Sequence, residues 1–221
     1  MCGRYTLVDP KAIEKRFNIN TPMATQPNYN VAPGQMMPVI REEAEGLVID
    51  VMKWGLIPSW AKNKNIGYKL INARSETVFE KPAWRSAIRT RRCIVPASGF
   101  YEWKRDGTAK KQPYYITAKD SSMFYFAGIW ETWHDEEGKE LHSYSILTTT
   151  PNNEMSELHD RMPVILHPND VDLWPSVDDE DFIHTVMRPY EDGELELVPV
   201  SKEVNVVRNN EGSLILPINS K

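Results

Sequence analysis

Residues Cys93–Lys104 read CIVPASGFYEWK. The apolar and aromatic residues of this stretch predict two short strands, Cys93–Pro96 and Phe100–Lys104. An Asp106-Gly107 turn leads from the second strand into a further run, Tyr114–Thr117, and Asp-Gly between two such runs is a strong hairpin signal. The middle of the chain is therefore expected to consist of short strands joined by turns.

The same pattern continues outward in both directions. Further strands are predicted at Cys2–Val8, Met37–Arg41, Leu47–Trp54, Phe124–Trp133, Leu141–Thr149, Pro163–Leu166 and Leu195–Pro199. Helices are predicted after an Asp9 N-cap, in pieces of Ser75–Arg89, and at Asn152–Leu158, Asn169–Trp174 and Asp179–Met187. Short strands with scattered helices predict one α+β domain over residues 1–221, with a curved, mostly antiparallel sheet or open β-barrel-like core and peripheral helices. The core is expected to span about residues 2–199, followed by a polar tail at 200–221.

The composition excludes several classes of protein. The chain has 221 residues, of which 41% are hydrophobic, and its mean hydropathy is −0.50, as in ordinary soluble proteins. Cys2 and Cys93 are too few for a disulfide framework and fit a reducing compartment. The N-terminus lacks a signal-peptide region, and the longest apolar run, Met123–Trp130, is too short to cross a bilayer. We therefore expect a cytoplasmic protein with no membrane partner. A monomer is expected as well, although these features do not determine the oligomeric state.

The charges are distributed unevenly along the chain. The net charge is −5, yet Lys53–Lys119 holds fifteen Lys or Arg and only four acidic residues. Such a segment is typical either of a phosphate-binding face or of a solvated surface. Tryptophans within it could stack on bases or pack in the core, and these are Trp54, Trp60, Trp84 and Trp103.

The start of the chain, Met1-Cys2-Gly3-Arg4-Tyr5, offers a distinctive chemical group. Removal of Met1 would leave Cys2 with a free α-amine two carbons from its thiol, and both groups have usable unprotonated fractions near neutral pH. The thiol could act as a nucleophile with its own amine as base, or the pair could condense with an aldehyde to give a thiazolidine. Alternatively, Cys2 is simply the residue that follows the start codon.

Two other segments could act with Cys2. Asn72 offers an amide and Arg74 a guanidinium fork for phosphate, although this segment could equally cap a helix. His159, beside Asp160 and Arg161, is a candidate general acid or base, although a lone histidine is more often structural. The other histidines show no ligand spacing, so neither a metal nor a cofactor is expected.

Glu102 is the third candidate. In an alternating strand it shares a face with Phe100 and Lys104, whereas Tyr101 and Trp103 point to the other face. A carboxylate among aromatic residues is a candidate for a raised pKa and for proton transfer. An ion pair between Glu102 and Lys104 at a strand edge is about equally compatible with the pattern.

Together, these segments resemble the SRAP family, the SOS-response-associated peptidase family of abasic-site processing proteins. The resemblance runs from Cys2 to about Pro199 and rests on six segments in order: residues 1–5, 30–34, 54–60, 72–77, 93–103 and 159–163. It implies that mature Cys2 attacks the ring-opened aldehyde of an abasic site in single-stranded DNA. The product would be a thiazolidine DNA–protein crosslink that shields the lesion from strand breakage.

The resemblance also implies roles for individual residues. Asn72 would hold the reacting centre, while Glu102 and His159 would shuttle protons. DNA contacts would come from Arg4, Arg74 and Arg161 to phosphates, Trp60 and Trp103 to flanking bases, and Pro33 beside the lesion. The family's peptidase name refers to a proposed self-removal of Met1, in which the same acidic residue is implicated.

Two other functions remain compatible with parts of the sequence. Class II glutamine amidotransferases also begin Met-Cys-Gly, so an N-terminal-nucleophile amidohydrolase is one alternative, although none of that family's other segments is present. A non-catalytic reader of modified DNA bases is the second alternative, since it would use the same basic, aromatic face without needing Cys2.

Overall fold

The computed structural model describes residues 2–20, 26–104 and 111–218. Its strands are β1 (Tyr5–Leu7), β2 (Asn28–Val31), β3 (Met36–Glu43), β4 (Gly46–Trp54), β5 (Asn72–Arg74), β6 (Arg92–Ala97), β7 (Gly99–Lys104), β8 (Gln112–Ala118), β9 (Phe124–His134), β10 (Glu140–Thr149), β11 (Met162–Pro163) and β12 (Leu195–Pro199). The α-helices are α1 (Lys11–Phe17), α2 (Ala87–Thr90), α3 (Asn153–Ser156) and α4 (Glu180–Val186), and 3-10 helices occur at Lys64–Lys69, Lys202–Asn205 and Gly212–Ile215. The predicted Asp106-Gly107 turn lies outside the described residues, but the strands on either side of it, β7 and β8, pair antiparallel as expected.

The strands form two sheets. One has the order β12-β8-β7-β1-β2, and its neighbouring strands are antiparallel. The other follows the path β11-β10-β4-β3-β6-β9, and β9 also pairs with β10. That last pairing closes β10, β4, β3, β6 and β9 into a ring, in which the β4–β10 pair is parallel. The predicted α+β class and mostly antiparallel pairing are confirmed, and the curved sheet is a closed barrel because the long strand β9 pairs along both edges.

The first sheet is attached to the barrel through β1. Tyr5 is fully buried, and its ring packs edge-on against Trp54 of β4 at a centroid distance of 5.1 Å and against Phe126 of β9 at 6.3 Å. Its hydroxyl lies 2.7 Å from the hydroxyl of Tyr144 on β10, so the polar tip is satisfied inside the core. Burying one such side chain contributes roughly 1.5–3 kcal/mol, which fixes the start of the chain against the barrel.

Two predicted helices differ from the structure. Asn169–Trp174 forms turns rather than a helix. Pro175 follows directly, and a proline ring disfavours the α conformation of the residue before it. The segment Ser75–Arg89 contains mainly turns, and only Ala87–Thr90 is helical. The Asp9 cap is confirmed, because the Asp9 carboxylate accepts the backbone N–H groups of the next two non-proline residues at 3.1 and 3.3 Å.

The C-terminal residues contribute to a second, smaller core. Val204 and Leu214 are buried and pack with Tyr101 and Tyr115 on the outer face of the first sheet. Residues 200–218 therefore cover the face of β7 and β8 that points away from the barrel. Among the helices in residues 2–20, 26–104 and 111–218, none has the length and hydropathy of a membrane-spanning segment.

Candidate active site

Cys2 lies between the two sheets. It precedes β1 of the first sheet, and its side chain is completely buried in the main core. The side-chain amide of Asn72, the first residue of β5 at the barrel, donates to the Cys2 carbonyl oxygen at 2.9 Å. Asn72 is itself fixed by parallel pairing with Ile146 of β10. The two residues are 70 positions apart in sequence, and their contact locks the start of the chain onto the barrel.

Glu102 approaches Cys2 from the first sheet. Tyr5 of β1 pairs with Phe100 of β7, and continuing this antiparallel register places Glu102 opposite Gly3 and next to Cys2. Glu102 is 4% exposed, so its carboxylate acts through a medium of low polarity. Burial, with the nearby Glu102 carboxylate, raises the pKa of the Cys2 thiol to about 12. The thiol is therefore protonated near neutral pH.

His159 comes to the same edge of the barrel from another direction. It follows α3 and is 8% exposed. Its Nδ1 atom accepts the backbone N–H of Arg161 at 3.1 Å and lies 2.8 Å from a carboxylate oxygen of Asp160. Nδ1 without a proton accepts from the main chain, whereas Nδ1 with a proton would donate to Asp160.

Strand β10 brings the remaining parts of the site together. Its residue Thr148 pairs with Arg74 of β5 on one side and with Pro163 of β11 on the other. The segments that carry Asn72 and His159, which are far apart in sequence, therefore flank the same end of β10. The pairing of β5 and β11 with β10 brings these segments together, which their spacing in the sequence does not show.

The three arginines expected at phosphates have different environments. Arg161 is 9% exposed, and its guanidinium forms a two-point ion pair with Glu76 and also donates to the Thr148 carbonyl oxygen. Arg4 donates to the Asn30 side chain at 2.7 Å and to the Val204 carbonyl oxygen at 2.8 Å, and burial lowers its pKa. Arg74 is exposed. Arg74 is the one of the three whose guanidinium is presented to solvent.

The chain belongs to the SRAP family. The family model of the SOS response associated peptidase (SRAP) matches residues 1–207. The chain is 42% identical to the abasic site processing protein YoqW of Bacillus subtilis, over 97% of this chain and 99% of that protein. It is 30% identical to the abasic site processing protein HMCES of Rattus norvegicus, over 86% of this chain and 65% of that protein. Among solved structures, a protein from Bacteroides thetaiotaomicron has a TM-score of 0.89 at 27% identity, covering 98% of this chain and all of that one.

In this SRAP protein, the other predicted DNA-contacting residues differ in their exposure. Trp60 is 60% exposed. Trp103 is half-buried and donates from its indole nitrogen to Asn205 at 2.8 Å. Pro33 is half-buried in the turn after β2, where the N–H of Gly34 donates to the Trp54 carbonyl oxygen at 2.8 Å. Trp60 is therefore the aromatic residue of this set that is best exposed for stacking.

Three arginines of the basic segment already have partners within the SRAP protein. Arg92 is buried and donates to four backbone carbonyl oxygens, while Arg91 pairs with Glu131 and Arg89 with Glu180. The early part of the basic segment carries no opposite charge, since residues 51–75 contain five Lys or Arg and no acidic residue.

We define the basic aromatic strip as Lys53, Trp60, Tyr68 and Lys69. It lies around the 3-10 helix Lys64–Lys69, which connects β4 to β5. Within the described ranges, no group of three or more His, Cys, Asp or Glu side chains is arranged to hold a metal ion.

Proposed function

We propose that this protein processes abasic sites in single-stranded DNA and forms a covalent thiazolidine crosslink through Cys2 after Met1 is removed. Its membership of the SRAP family and its 42% identity to a protein named for abasic site processing support the reaction class. The hydrogen bond from Asn72 to the Cys2 carbonyl oxygen is the observation that carries the proposal. It fixes the main chain of Cys2 between an acidic residue and the strand pair that leads to His159.

The proposed crosslinking reaction joins the aminothiol of Cys2 to an aldehyde and releases water. The α-amine of Cys2 adds to the C1′ aldehyde of the opened sugar, and the resulting carbinolamine loses one water molecule to give an imine. The Cys2 sulfur then bonds to the imine carbon, and its proton passes to the nitrogen. One aldehyde and one aminothiol thus give one five-membered thiazolidine and one water.

Burial explains why neighbouring groups would take part in this reaction. A thiol with a pKa of about 12 adds to the imine faster when a base accepts its proton, and Glu102 is the carboxylate beside it. Ring opening of the sugar requires proton delivery to the ring oxygen, a role that we assign to His159. Exposed Arg74 would contact phosphate, and Arg4, Arg161, Pro33, Trp60 and Trp103 complete the proposed DNA contacts.

Release of Met1 is a necessary part of the proposal, because an acylated nitrogen cannot form the imine. We assign to Glu102 the activation of the water that cleaves the bond between Met1 and Cys2. That hydrolysis yields free methionine and the Cys2 amine, and it would account for the peptidase in the family description.

The direct test is denaturing electrophoresis of the protein with single-stranded DNA whose uracil has been removed by a glycosylase. We expect a heat-stable, slower-migrating adduct with the unchanged protein and with Cys93→Ser, the matched control, and none with Cys2→Ala. Glutaminase activity without an adduct would favour the amidohydrolase alternative. Tight binding by Cys2→Ala, with no covalent product from either form, would favour the reader of modified bases.

A further inference from the structure

The basic aromatic strip lies outside the group of residues around Cys2. Trp60 and Tyr68 are both more than half exposed, at 60% and 56%. Exposed aromatic side chains interleaved with cations suit single-stranded nucleic acid, because bases stack on the rings and the cations attract phosphates. In the described part of the chain, neither Lys53 nor Lys69 takes part in a salt bridge, so both cations are available to an anionic ligand.

Tyr68 is held in place although it is exposed. The ammonium group of Lys53 lies 5.1 Å from the centroid of its ring, within cation–π range. On another side, the ring meets the turn that follows Pro33, since a Cβ added at Gly34 would lie 2.9 Å from a ring carbon of Tyr68. Gly34 also has a φ of +92°, so this close approach depends on glycine. The ring is therefore positioned before any ligand arrives.

A cavity also borders the 3-10 helix. It has a volume of about 410 Å³ and is lined by Trp60, Ile66 and Lys69 among others. Ile66 and Lys69 are three residues apart, so they share one face of a 3-10 helix. The apolar wall, the exposed indole and the lysine match a nucleotide, which has an aromatic base and an anionic phosphate.

We propose that Tyr68, with Lys53 beside it, is a base-stacking subsite for single-stranded DNA, next to Pro33 and on the same 3-10 helix as residues that line the Trp60 cavity. This inference rests on the proposed function, because it extends the path of the strand away from the lesion at Cys2. Stacking on tyrosine is independent of base identity, while Lys53 attracts the backbone. The subsite therefore adds affinity for flanking nucleotides and leaves the covalent step at Cys2 unchanged.

The test is fluorescence anisotropy with single-stranded oligonucleotides that carry a tetrahydrofuran abasic analogue, which has no aldehyde and cannot crosslink. Oligonucleotides extended on the 5′ side, on the 3′ side or on both sides of the analogue are compared. We expect Tyr68→Ala to weaken the binding of one of the extended oligonucleotides about five-fold or more, because a flanking base loses its stacking partner. A trinucleotide with the analogue at its centre is too short to reach Tyr68, so its affinity should be unchanged. Tyr68→Phe keeps the ring and should bind like the unchanged protein. Leu173→Ala, at another exposed apolar residue, is the matched control.

The outcomes distinguish this subsite from the proposed function. The subsite is supported if Tyr68→Ala loses affinity for one extended form and still gives the unchanged yield of covalent adduct with saturating aldehyde-bearing DNA. It is overturned if Tyr68→Ala binds every oligonucleotide like the unchanged protein, or if Leu173→Ala loses as much affinity. An unchanged protein that neither binds nor crosslinks single-stranded DNA overturns the proposed function as well.

Discussion

The Cys2 pocket, formed by Cys2, Asn72 and Glu102, and the basic aromatic strip differ in solvent exposure and in how their groups are held. The three residues of the pocket are at most 8% exposed, whereas Trp60 and Tyr68 of the strip are more than half exposed. Burial shifts protonation equilibria and fixes distances, which covalent chemistry requires. Exposure leaves cations and rings able to meet a flexible polyanion. Changes in the pocket are therefore expected to alter rates, and changes in the strip to alter affinity.

The largest expected effect is at Glu102. Because positioned proton transfer is typically worth about 10² to 10⁴ in rate, Glu102→Gln should slow adduct formation by a factor in that range while DNA affinity is maintained. His159→Ala should slow both formation and reversal, since ring re-closure passes through the same proton donor. Single-turnover time courses with saturating DNA measure both rates.

The matched control for Glu102 is Glu140→Gln, a carboxylate that is exposed at the end of the β9–β10 hairpin. It should crosslink at the unchanged rate. If Glu102→Gln and His159→Ala also keep the unchanged rate in both directions, then the pocket supplies only position and not proton transfer.

The next effect compares a buried arginine with an exposed one. Arg161→Ala leaves the Thr148 carbonyl oxygen and Glu76 without their partner, so we expect the free energy of unfolding to fall by about 1–3 kcal/mol. Arg74→Ala should change stability by less than about 0.5 kcal/mol but lower the slope of log affinity against log salt by about one. Urea denaturation measures the loss of stability in each variant, and DNA binding at several salt concentrations measures the slope. Equal stability losses would show that the Arg161–Glu76 pair does not hold the fold.

A smaller effect concerns the pH dependence of the Cys2 thiol before Met1 is removed. The thiolate is the reactive form, and burial raises the pKa to about 12, so the thiolate fraction should keep increasing above pH 9. In a Cys93→Ser protein, the logarithm of the alkylation rate should rise by about one per pH unit from pH 7 to 10. A plateau reached before pH 9 would indicate an exposed thiol and an open pocket.

The strand pattern could be predicted from the sequence because it depends on local signals. The β9–β10 hairpin and β12 are confirmed within a residue or so of the predicted bounds, since turn residues and alternating apolar residues mark them. The predicted helix at Asn169–Trp174 was wrong because the conformation of this segment also depends on contacts from residues distant in sequence. Its end is held by the Arg92 side chain, which donates to the carbonyl oxygens of Trp174 and Val177 from 82 and 85 positions away.

The arrangement of the candidate site could not be predicted from the sequence. Spacing cannot show that Asn72 binds the main chain of Cys2, or that Glu76 holds Arg161, because each contact is made through the pairing of β5 and β11 with β10. Tyr68 was missed for a related reason. Its exposure and its contact with Gly34 depend on the path of the connection between β4 and β5, which has no periodic pattern.

The most direct test of the central claim is the mass of the adduct, followed by peptide mapping without any reducing agent. We expect a mass equal to the protein lacking Met1 plus the aldehyde-bearing DNA minus one water, with the DNA attached at Cys2. Attachment at Cys93 or at a lysine, or an adduct that retains Met1, would contradict it.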